Sequence, residues 1–291
     1  MKLTNLFSML GGLALFLYGM NMMSNGLEMA AGDKMKTILE KLTSNRILGV
    51  LVGALVTAII QSSSATTVMV VGFVNSGLMS LTSAVWVIMG ANIGTTITGQ
   101  LIAIDITAIA PLIAFIGVAM IVFFKSQKLD AIGGVIGGLG ILFIGMETMS
   151  SAMVPLRTMP EFVGLISKFQ NPFIGILVGA LFTALIQSSS ASVGILQALA
   201  KSGVMTLSSS IYVLFGQNIG TCITSVLASI GTSKNAKRTT IIHLTFNIIG
   251  TVIFVSISML FPFAHLVESI TPNNVAAQIA NVHTIFNVAT T

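Results

Sequence analysis

Charge is what this sequence has least of. Thirteen basic and eight acidic side chains make up only 7% of its 291 residues, against about 25% in an ordinary soluble domain. So few charges cannot cover the surface of a soluble protein of this size. A soluble enzyme, a nucleic-acid binder and a disordered chain are therefore poor readings. The net charge of +5 does not point to DNA. The basic residues lie in short clusters between apolar runs, which is the pattern of membrane loops. A single cysteine, Cys222, excludes an intramolecular disulfide and a cysteine-built metal cage. Three histidines, far apart, give little support to a metal site. No Ser-His-Asp set is recognisable among the many serines, which argues against hydrolase chemistry.

What is abundant is apolar. Hydrophobic residues reach 54% and the mean hydropathy is +0.99. The first apolar run, Leu6–Met23, has the look of a secretory leader behind Lys2. It recurs inside the chain, however, and a cleaved leader would not be duplicated internally. It reads as a membrane span.

The chain is a duplication. Gly11-Gly12-Leu13 returns as Gly137-Gly138-Leu139, and Gly19-Met20 as Gly145-Met146. Gly53-Ala54-Leu55 returns as Gly179-Ala180-Leu181. Gln61-Ser62-Ser63-Ser64-Ala65 returns as Gln187-Ser188-Ser189-Ser190-Ala191, and Asn92-Ile93-Gly94-Thr95 as Asn218-Ile219-Gly220-Thr221. Every pair is 126 residues apart, with no gap over the whole stretch. The long polar strings that match are the ones to question about function.

Each copy has the same order of elements. Copy one has a span near 5–24 and a mixed-charge stretch from Glu28 to Arg46. There Leu27, Met35, Ile38, Leu39 and Leu42 have roughly helical spacing, which predicts an interfacial amphipathic helix. Apolar runs at 47–60 and 65–79 flank the Gln-Ser-Ser-Ser string. A segment at 83–104 is interrupted by Gly90-Ala-Asn-Ile-Gly94, and a span near 108–124 closes the copy. Copy two runs 131–150, a linker with Pro155, Arg157, Pro160 and Lys168, then 172–186, 189–204, 207–229 and 239–261.

A bilayer core of about 30 Å needs about 20 helical residues. The runs at 47–60 and 65–79 are each too short to span, and joined they are too long. A re-entrant hairpin turning at Gln-Ser-Ser-Ser solves this, since non-helical backbone at that depth needs a protein-lined cavity. The alternative is one tilted helix near 51–74 whose serines bond neighbouring helices. If hairpins make no net crossing, each copy crosses three times, and an odd number turns copy two upside down. Lys34, Lys36, Lys41, Arg46, Lys125, Lys128, Lys234, Lys237 and Arg238 then share one side, the cytoplasmic one. Lys2, Arg157, Lys168 and Lys201 share the other. The hairpins enter from opposite faces and their tips meet near the midplane. A parallel duplication would need an even number of crossings per copy. The expected fold is thus an all-α integral membrane protein of two inverted-topology repeats, each with a re-entrant helical hairpin and a discontinuous transmembrane helix. The repeats are placed at 1–128 and 129–262. The segment at 263–291 reads as a truncated final span, opened by His283 as His243 opens the span before it.

No Asp, Glu, Lys or Arg lies in the four polar strings. A charged solute there must be held by hydroxyls, amides and backbone dipoles. A half-helix starting at the serines points N–H groups and a positive dipole end at the tip, which suits an anion. Ser63, Ser64, Ser189 and Ser190 add hydroxyl donors. A half-helix ending at Ile60 or Ile186 offers carbonyls to a cation. Asn92, Thr95, Asn218 and Thr221 supply side-chain oxygens beside glycines. A bare anion is too costly to bury alone, so cations should accompany it.

At these residues the sequence resembles the type II sodium/phosphate cotransporters and their bacterial relatives, over nearly the whole chain. The resemblance implies sodium-dependent uptake of inorganic phosphate by alternating access, with sodium as the co-transported ion, no organic cofactor and no enzyme activity. It implies phosphate at Ser63, Ser64, Ser189, Ser190, Asn92 and Asn218. It implies sodium at Gln61, Ser62, Gln187, Ser188, Thr95 and Thr221. The expected setting is the lipid bilayer of the cell membrane, with a second copy of the chain as a candidate partner. Hydroxyls and dipoles would also accept another oxyanion or a small carboxylate, and a non-transporting phosphate sensor could use the same site. Bacterial relatives often carry a soluble helical domain after the membrane part, which these residues do not include.

Four features have quieter readings. Glu147 aligns with Asn21 near the outer boundary, where solvation or helix bonding competes with function. His243 and His283 suit interfacial hydrogen bonding better than metal binding. Gly133, Gly134, Gly137 and Gly138 suit close helix packing, not a nucleotide. Cys222, just past Asn218-Ile-Gly-Thr221, either lines the anion path or is buried and inert.

Overall fold

The computed structural model describes residues 3–31, 38–39, 45–104, 106–124 and 126–291. Every regular element among them is helical. The first half contains α1 (Leu3–Ala31), α2 (Arg46–Ile60), α3 (Ser63–Asn75), α4 (Leu81–Ala103) and α5 (Ala110–Phe123). The second contains α6 (Gln127–Met153), α7 (Pro160–Ser167), α8 (Pro172–Ile186), α9 (Ser189–Lys201), α10 (Leu207–Gly220), α11 (Ile223–Ala228) and α12 (Lys234–Leu260). Then follow α13 (Phe263–Ile270) and α14 (Val275–Thr290). Among the described residues, five segments are long and apolar enough to cross a membrane, α1, α4 and α12 being three of them. A sixth is counted if α7 and α8, bent by 102° with the turn between them, are taken together. The protein is a multi-pass membrane protein. Residues 32–37 and 40–44 of the expected interfacial helix lie outside the described residues, while Glu28–Ala31 continue α1.

Local chemistry sets the helix ends, and it does so in pairs 126 residues apart. Asn45 caps α2 by accepting from Ile47 N at 3.0 Å, and Asn171 caps α8 from Phe173 N at 3.0 Å. Ser80 caps α4 and Thr206 caps α10 through the N–H three residues on. These small oxygen-bearing residues satisfy N–H groups that the first helical turn leaves free. At the far ends of α3 and α9, Gly77 and Gly203 take φ of +77° and +70°, which stops both arms earlier than the apolar runs suggest.

Packing repeats in the same register. A Cβ at Gly53 would stand 2.0 Å from Val87 O, and one at Gly179 would stand 1.9 Å from Val213 O. Gly90 sits against Val50 O, and Gly216 against Ile176 O. So α2 lies on α4 as α8 lies on α10, backbone to backbone.

Between the halves, α1 and α6 pack antiparallel along a stripe of small residues seven apart. Gly12 meets Gly145, Gly19 meets Gly138, and Gly26 meets Ala131. A seven-residue spacing keeps one seam facing its partner, and small residues let membrane helices approach closely. Because α1 and α6 open the two copies, Gly12 is the counterpart of Gly138, and Gly19 of Gly145. Each glycine thus touches the other's counterpart, as across a two-fold axis.

One expectation fails here. The segment at 83–104 is not broken: α4 runs unbroken through Gly90, Asn92 and Gly94. Its glycines serve contact with α2 instead, Gly90 against Val50 O and Gly94 against Ala54 O. Only the second copy is interrupted, at Thr221-Cys222 between α10 and α11. There Cys222 N bonds Ile219 O, three residues back, in place of the helical fourth. A second correction concerns the histidines. His243 lies well inside α12 and His283 in the second half of α14, both buried, so neither opens its helix. Asn274 opens α14, accepting from Ala277 N at 3.0 Å.

The α1–α6 seam yields a test. A Cβ at Gly19 would stand 2.3 Å from Leu142 N, while one at Gly11 meets nothing within 4 Å. Gly19→Leu should lower the thermal unfolding midpoint in detergent, at the scale of about 1–3 kcal/mol or more for overpacking. Gly11→Ala should melt with the wild type. Equal midpoints for both would show that the seam is not tight.

Candidate functional site

The two hairpin tips are built alike. α2 ends at Ile60 and α8 at Ile186, and each is followed by a glutamine in the left-handed region, Gln61 and Gln187, both at φ 58°. That conformation is uncommon outside glycine. It reverses the chain within one residue. Ser62 and Ser188 then cap the second arms, accepting from Ala65 N at 3.1 Å and Ala191 N at 3.2 Å. Each hydroxyl oxygen keeps a second lone pair. Thr57 Oγ1 donates to Thr66 Oγ1 at 3.0 Å across the first hairpin. Nine residues along a straight helix would be about 13 Å apart, so the chain does fold back, and the single tilted helix is excluded.

The tips meet each other. Ser63 Oγ and Ser189 Oγ are 3.4 Å apart, both buried. They are counterparts, so the contact lies where a two-fold axis would pass. The flanking contacts come in a matching pair. Ser190 Oγ donates to Thr98 Oγ1 at 3.2 Å, and Thr224 Oγ1 donates to Ser64 Oγ at 3.3 Å. Ser64 Oγ also donates to Gln187 O at 3.3 Å. Thr98 passes its own proton to Gln61 Oε1 at 2.7 Å. Thr98 and Thr224 were not among the residues singled out from sequence. They are nonetheless a threonine pair 126 residues apart, and that was the available signal. The cluster is closed on one side and open on the other. Gln61 and Ser190 are buried, whereas Gln187 is exposed and Ser64 half-buried. The N-termini of α3 and α9 both begin here, with their first N–H groups free of partners in their own helix.

The asparagines and threonines of the second motif sit one layer away. Asn92 donates to Asn247 Oδ1 on α12 at 3.3 Å, and Asn218 donates to Leu214 O at 3.3 Å. Thr95 bonds Ala91 O at 3.1 Å within α4. Thr221 Oγ1 is buried with no partner. Cys222 is 1% exposed, receives Asn247 Nδ2 at 3.3 Å and faces Asn218 O at 3.6 Å. It is packed among helices and does not line an open path, so the buried reading holds. His243 Nδ1 meets Ser225 Oγ at 3.2 Å.

A second, shorter repetition accompanies these histidines. His243-Leu-Thr-Phe-Asn247 on α12 and His283-Thr-Ile-Phe-Asn287 on α14 are 40 residues apart. Thr251 Oγ1 donates to Phe215 O at 3.3 Å, and Thr291 Oγ1 donates to Met89 O at 3.3 Å. Shifting one bond by 40 residues on the donor and 126 on the acceptor gives the other. So α12 lies on α10 as α14 lies on α4.

Glu147, on α6, pairs with Lys201 Nζ at 2.9 Å, and Lys201 also donates to Thr107 Oγ1 at 2.9 Å. This is the helix-bonding role. Beside it lies a cavity of about 280 Å³ lined by Met146, Lys201, Asn273 and Asn274. It is separate from the tip cluster.

Two polar hairpin tips and the neighbouring helices gather one cluster of hydroxyls inside a helical membrane protein, an arrangement suited to a polar solute. The chain belongs to the Na+/Pi-cotransporter family, which it matches over residues 15–151 and 158–271. It is 33% identical over 282 residues to the uncharacterized protein YqeW of Bacillus subtilis, covering 94% of this chain and 89% of that one. It is 28% identical over 263 residues to the putative inorganic phosphate export protein YjbB of Escherichia coli K12, covering 90% of this chain and 47% of that protein. It is 39% identical over 105 residues to sodium-dependent phosphate transport protein 2A of Rattus norvegicus, 35% of this chain and 16% of that protein. The chain thus spans under half of YjbB and a small part of protein 2A. No solved structure matches it.

The tip contact can be trapped. In a Cys222→Ser background, Ser63→Cys with Ser189→Cys should form a disulfide under mild oxidation, seen as an intact-mass loss of two hydrogens. Hydroxyls 3.4 Å apart place the two Cβ atoms near disulfide reach. Ser62→Cys with Ser188→Cys, both turned into cap bonds, should not. The absence of a bridge in the first pair would mean that the tips do not meet.

Proposed function

We propose that the protein is a sodium-coupled transporter of inorganic phosphate in the cell membrane, working in the uptake direction by alternating access. The phosphate is held between the two hairpin tips. The observation that carries this reading is the meeting of Ser63 and Ser189 at 3.4 Å with two helix N-termini beginning at the same place. Hydroxyls, free N–H groups and positive dipole ends then converge on one spot with no acidic side chain among them. Ser63, Ser64, Ser189 and Ser190 are the anion's donors, with Thr98 and Thr224 orienting Ser190 and Ser64. Asn92 and Asn218 stand behind them, closer to α12 and to their own helices than to the tips.

The architecture we propose has two inverted repeats, 1–128 and 129–262, followed by the segment 263–291. Support comes from the antiparallel packing of the counterpart helices α1 and α6, and from counterpart contacts that recur in pairs. Two equal halves of opposite orientation would expose one central site to either face in turn. Family membership supports phosphate as the substrate. The name of YjbB favours a second reading, export, because that relative aligns with 90% of this chain.

Purified protein in liposomes decides between them. Radiolabelled phosphate should accumulate only with an inward Na+ gradient, and choline should not replace Na+. Ser64→Ala or Ser190→Ala should weaken phosphate about tenfold or more, the scale of one lost bond to a charged group. Ser256→Ala, on the exposed face of α12, should change little. Phosphate efflux without any Na+ dependence would favour the export reading.

Topology is tested separately. Arg46 and Lys168 stand at the entrances of the two hairpins, and both are exposed. In a Cys222→Ser background, cysteines at these positions should react with an impermeant reagent from opposite sides of sealed vesicles. Labelling from one side would refute the inverted arrangement.

A further inference from the structure

The two halves are built alike but are not placed alike. In the second half, α6 packs on α9, the arm that leaves the hairpin tip; in the first, α1 packs on α2, the arm that enters it. The difference follows one stripe of each leaving arm. On α9, Ala191, Gly194 and Ala198 are buried and Lys201 is half-buried. Phe16 of α1 fills the hollow at Gly194, Ser150 Oγ of α6 donates to Ala198 O at 3.1 Å, and Glu147 of α6 pairs with Lys201 at 2.9 Å. The counterparts on α3, 126 residues earlier, are Ala65, Val68, Gly72 and Asn75, and all four are exposed. A Cβ at Gly72 would meet nothing within 4 Å. Residues three or four apart share a helix face, so these four make one bare stripe.

The stripe leads to the tip cluster. Its upper end adjoins Ser64, whose Oγ donates to Gln187 O at 3.3 Å, and Gln187 is exposed there. At the equivalent place beside α9, Ser190 and Gln61 are both buried. A bare helix face in a membrane protein can simply meet lipid, and Val68 would suit that. The polar positions would not. Ser150 has Ser24 as its counterpart on α1, and Glu147 and Lys201 have Asn21 and Asn75. Asn75 Oδ1 accepts from Ser233 N at 2.8 Å, which leaves its amide N–H groups to donate, and Asn21 is exposed. Phe16 has Leu142 as its counterpart. Position for position, the chain carries the partners that would cover the α3 stripe, an ion pair being replaced by two amides that can bond each other.

We infer that α1 and α3 form a gate, on the side where the first hairpin enters, that is open in this structure and closes in the other half of the transport cycle. On closure Ser24 Oγ donates to Gly72 O, Asn21 bonds Asn75, and Leu142 packs on Val68, while α6 releases α9 and bares the stripe there. This rests on the inverted-repeat transport reading and deepens it, by naming the contacts of the second conformation. A partly exposed ion pair is weak, so the closure by Glu147 and Lys201 and the closure by two amides are of similar strength. Two conformations close in free energy are what a protein that visits both in turn needs.

The test uses the full chain. Gly72→Phe has room in this structure, so its thermal unfolding midpoint in detergent should match the wild type, yet phosphate transport in liposomes should be lost because α1 can no longer reach α3. Gly72→Ala copies Ala198 and should transport as the wild type does. Cross-linking reads the closed gate directly. In a Cys222→Ser background with Na+ and phosphate, Ser24→Cys with Gly72→Cys should bridge under mild oxidation, seen by intact mass, and the bridge should stop transport until it is reduced. Gly11→Cys with Gly72→Cys, on another face of α1, should not bridge. The cross-link decides the matter even if Gly72→Phe folds poorly. Wild-type transport by Gly72→Phe, or no bridge in the Ser24→Cys, Gly72→Cys pair, would overturn the gate and leave phosphate transport by the wild type standing. A bridge in that pair when the wild type moves no phosphate would keep the gate and overturn the transport reading.

Discussion

Backbone that leaves a helix inside a hydrocarbon slab has nowhere to put its N–H and C=O groups except against protein. The hairpin tips are arranged around that constraint. Each tip turns through a left-handed glutamine, hands one N–H to a capping serine, and presents its remaining groups to the other tip. Neither hairpin could hold its conformation facing lipid. The contact of Ser63 with Ser189 is therefore structural before it is functional. The close approach of α2 to α4 and of α8 to α10 fixes the arm that leads into each tip. The α1–α6 seam ties the two halves together through backbone contacts at Gly12, Gly19 and Gly26.

The duplication explains which parts of this arrangement could be read from the residues. A constant register over matched polar strings located both hairpins, and the arms end at Ile60 and Ile186 as the apolar runs indicate. The same register held Thr98 and Thr224, but a lone threonine in an apolar segment carries no chemical signal until its neighbour across the interface is known. The expected break at Gly90–Gly94 failed for a different reason. In a membrane helix a glycine serves equally to interrupt the backbone or to admit a neighbouring one, and sequence does not separate the two uses. Val50 O and Ala54 O occupy the space, so α4 stays whole. The histidines were misplaced because a polar residue in an apolar run reads as a helix end. Ser225 gives His243 a partner from another helix, which allows it to sit deep.

Symmetry in this molecule is strict where backbones touch and loose where side chains close the gaps. The second hairpin is fastened to the helices around it by Lys201 with Glu147 and by Ser150 Oγ with Ala198 O at 3.1 Å. Phe16 also fills the hollow at Gly194. The corresponding stretch of the first hairpin, with Val68, Gly72 and Asn75, is exposed. At the tips the difference runs the other way: Gln187 of the second hairpin is uncovered, while Gln61 of the first is buried and bonded to Thr98.

Halves that began identical and then drifted also keep a record of each other's solutions. Ser225 Oγ meets His243 Nδ1 at 3.2 Å, but the position corresponding to Ser225 in the first half is Gly99, and His283 Nδ1 has no partner. A Cβ at Gly99 would meet only Val193 at 3.5 Å and Ala280 at 3.9 Å, ordinary contact distances. The unmatched ring nitrogen costs about 1–3 kcal/mol if nothing else reaches it. A duplicated chain thus carries an internal consensus: where the first half leaves a buried ring nitrogen unmatched beside Gly99, the second half displays the serine that meets the same nitrogen.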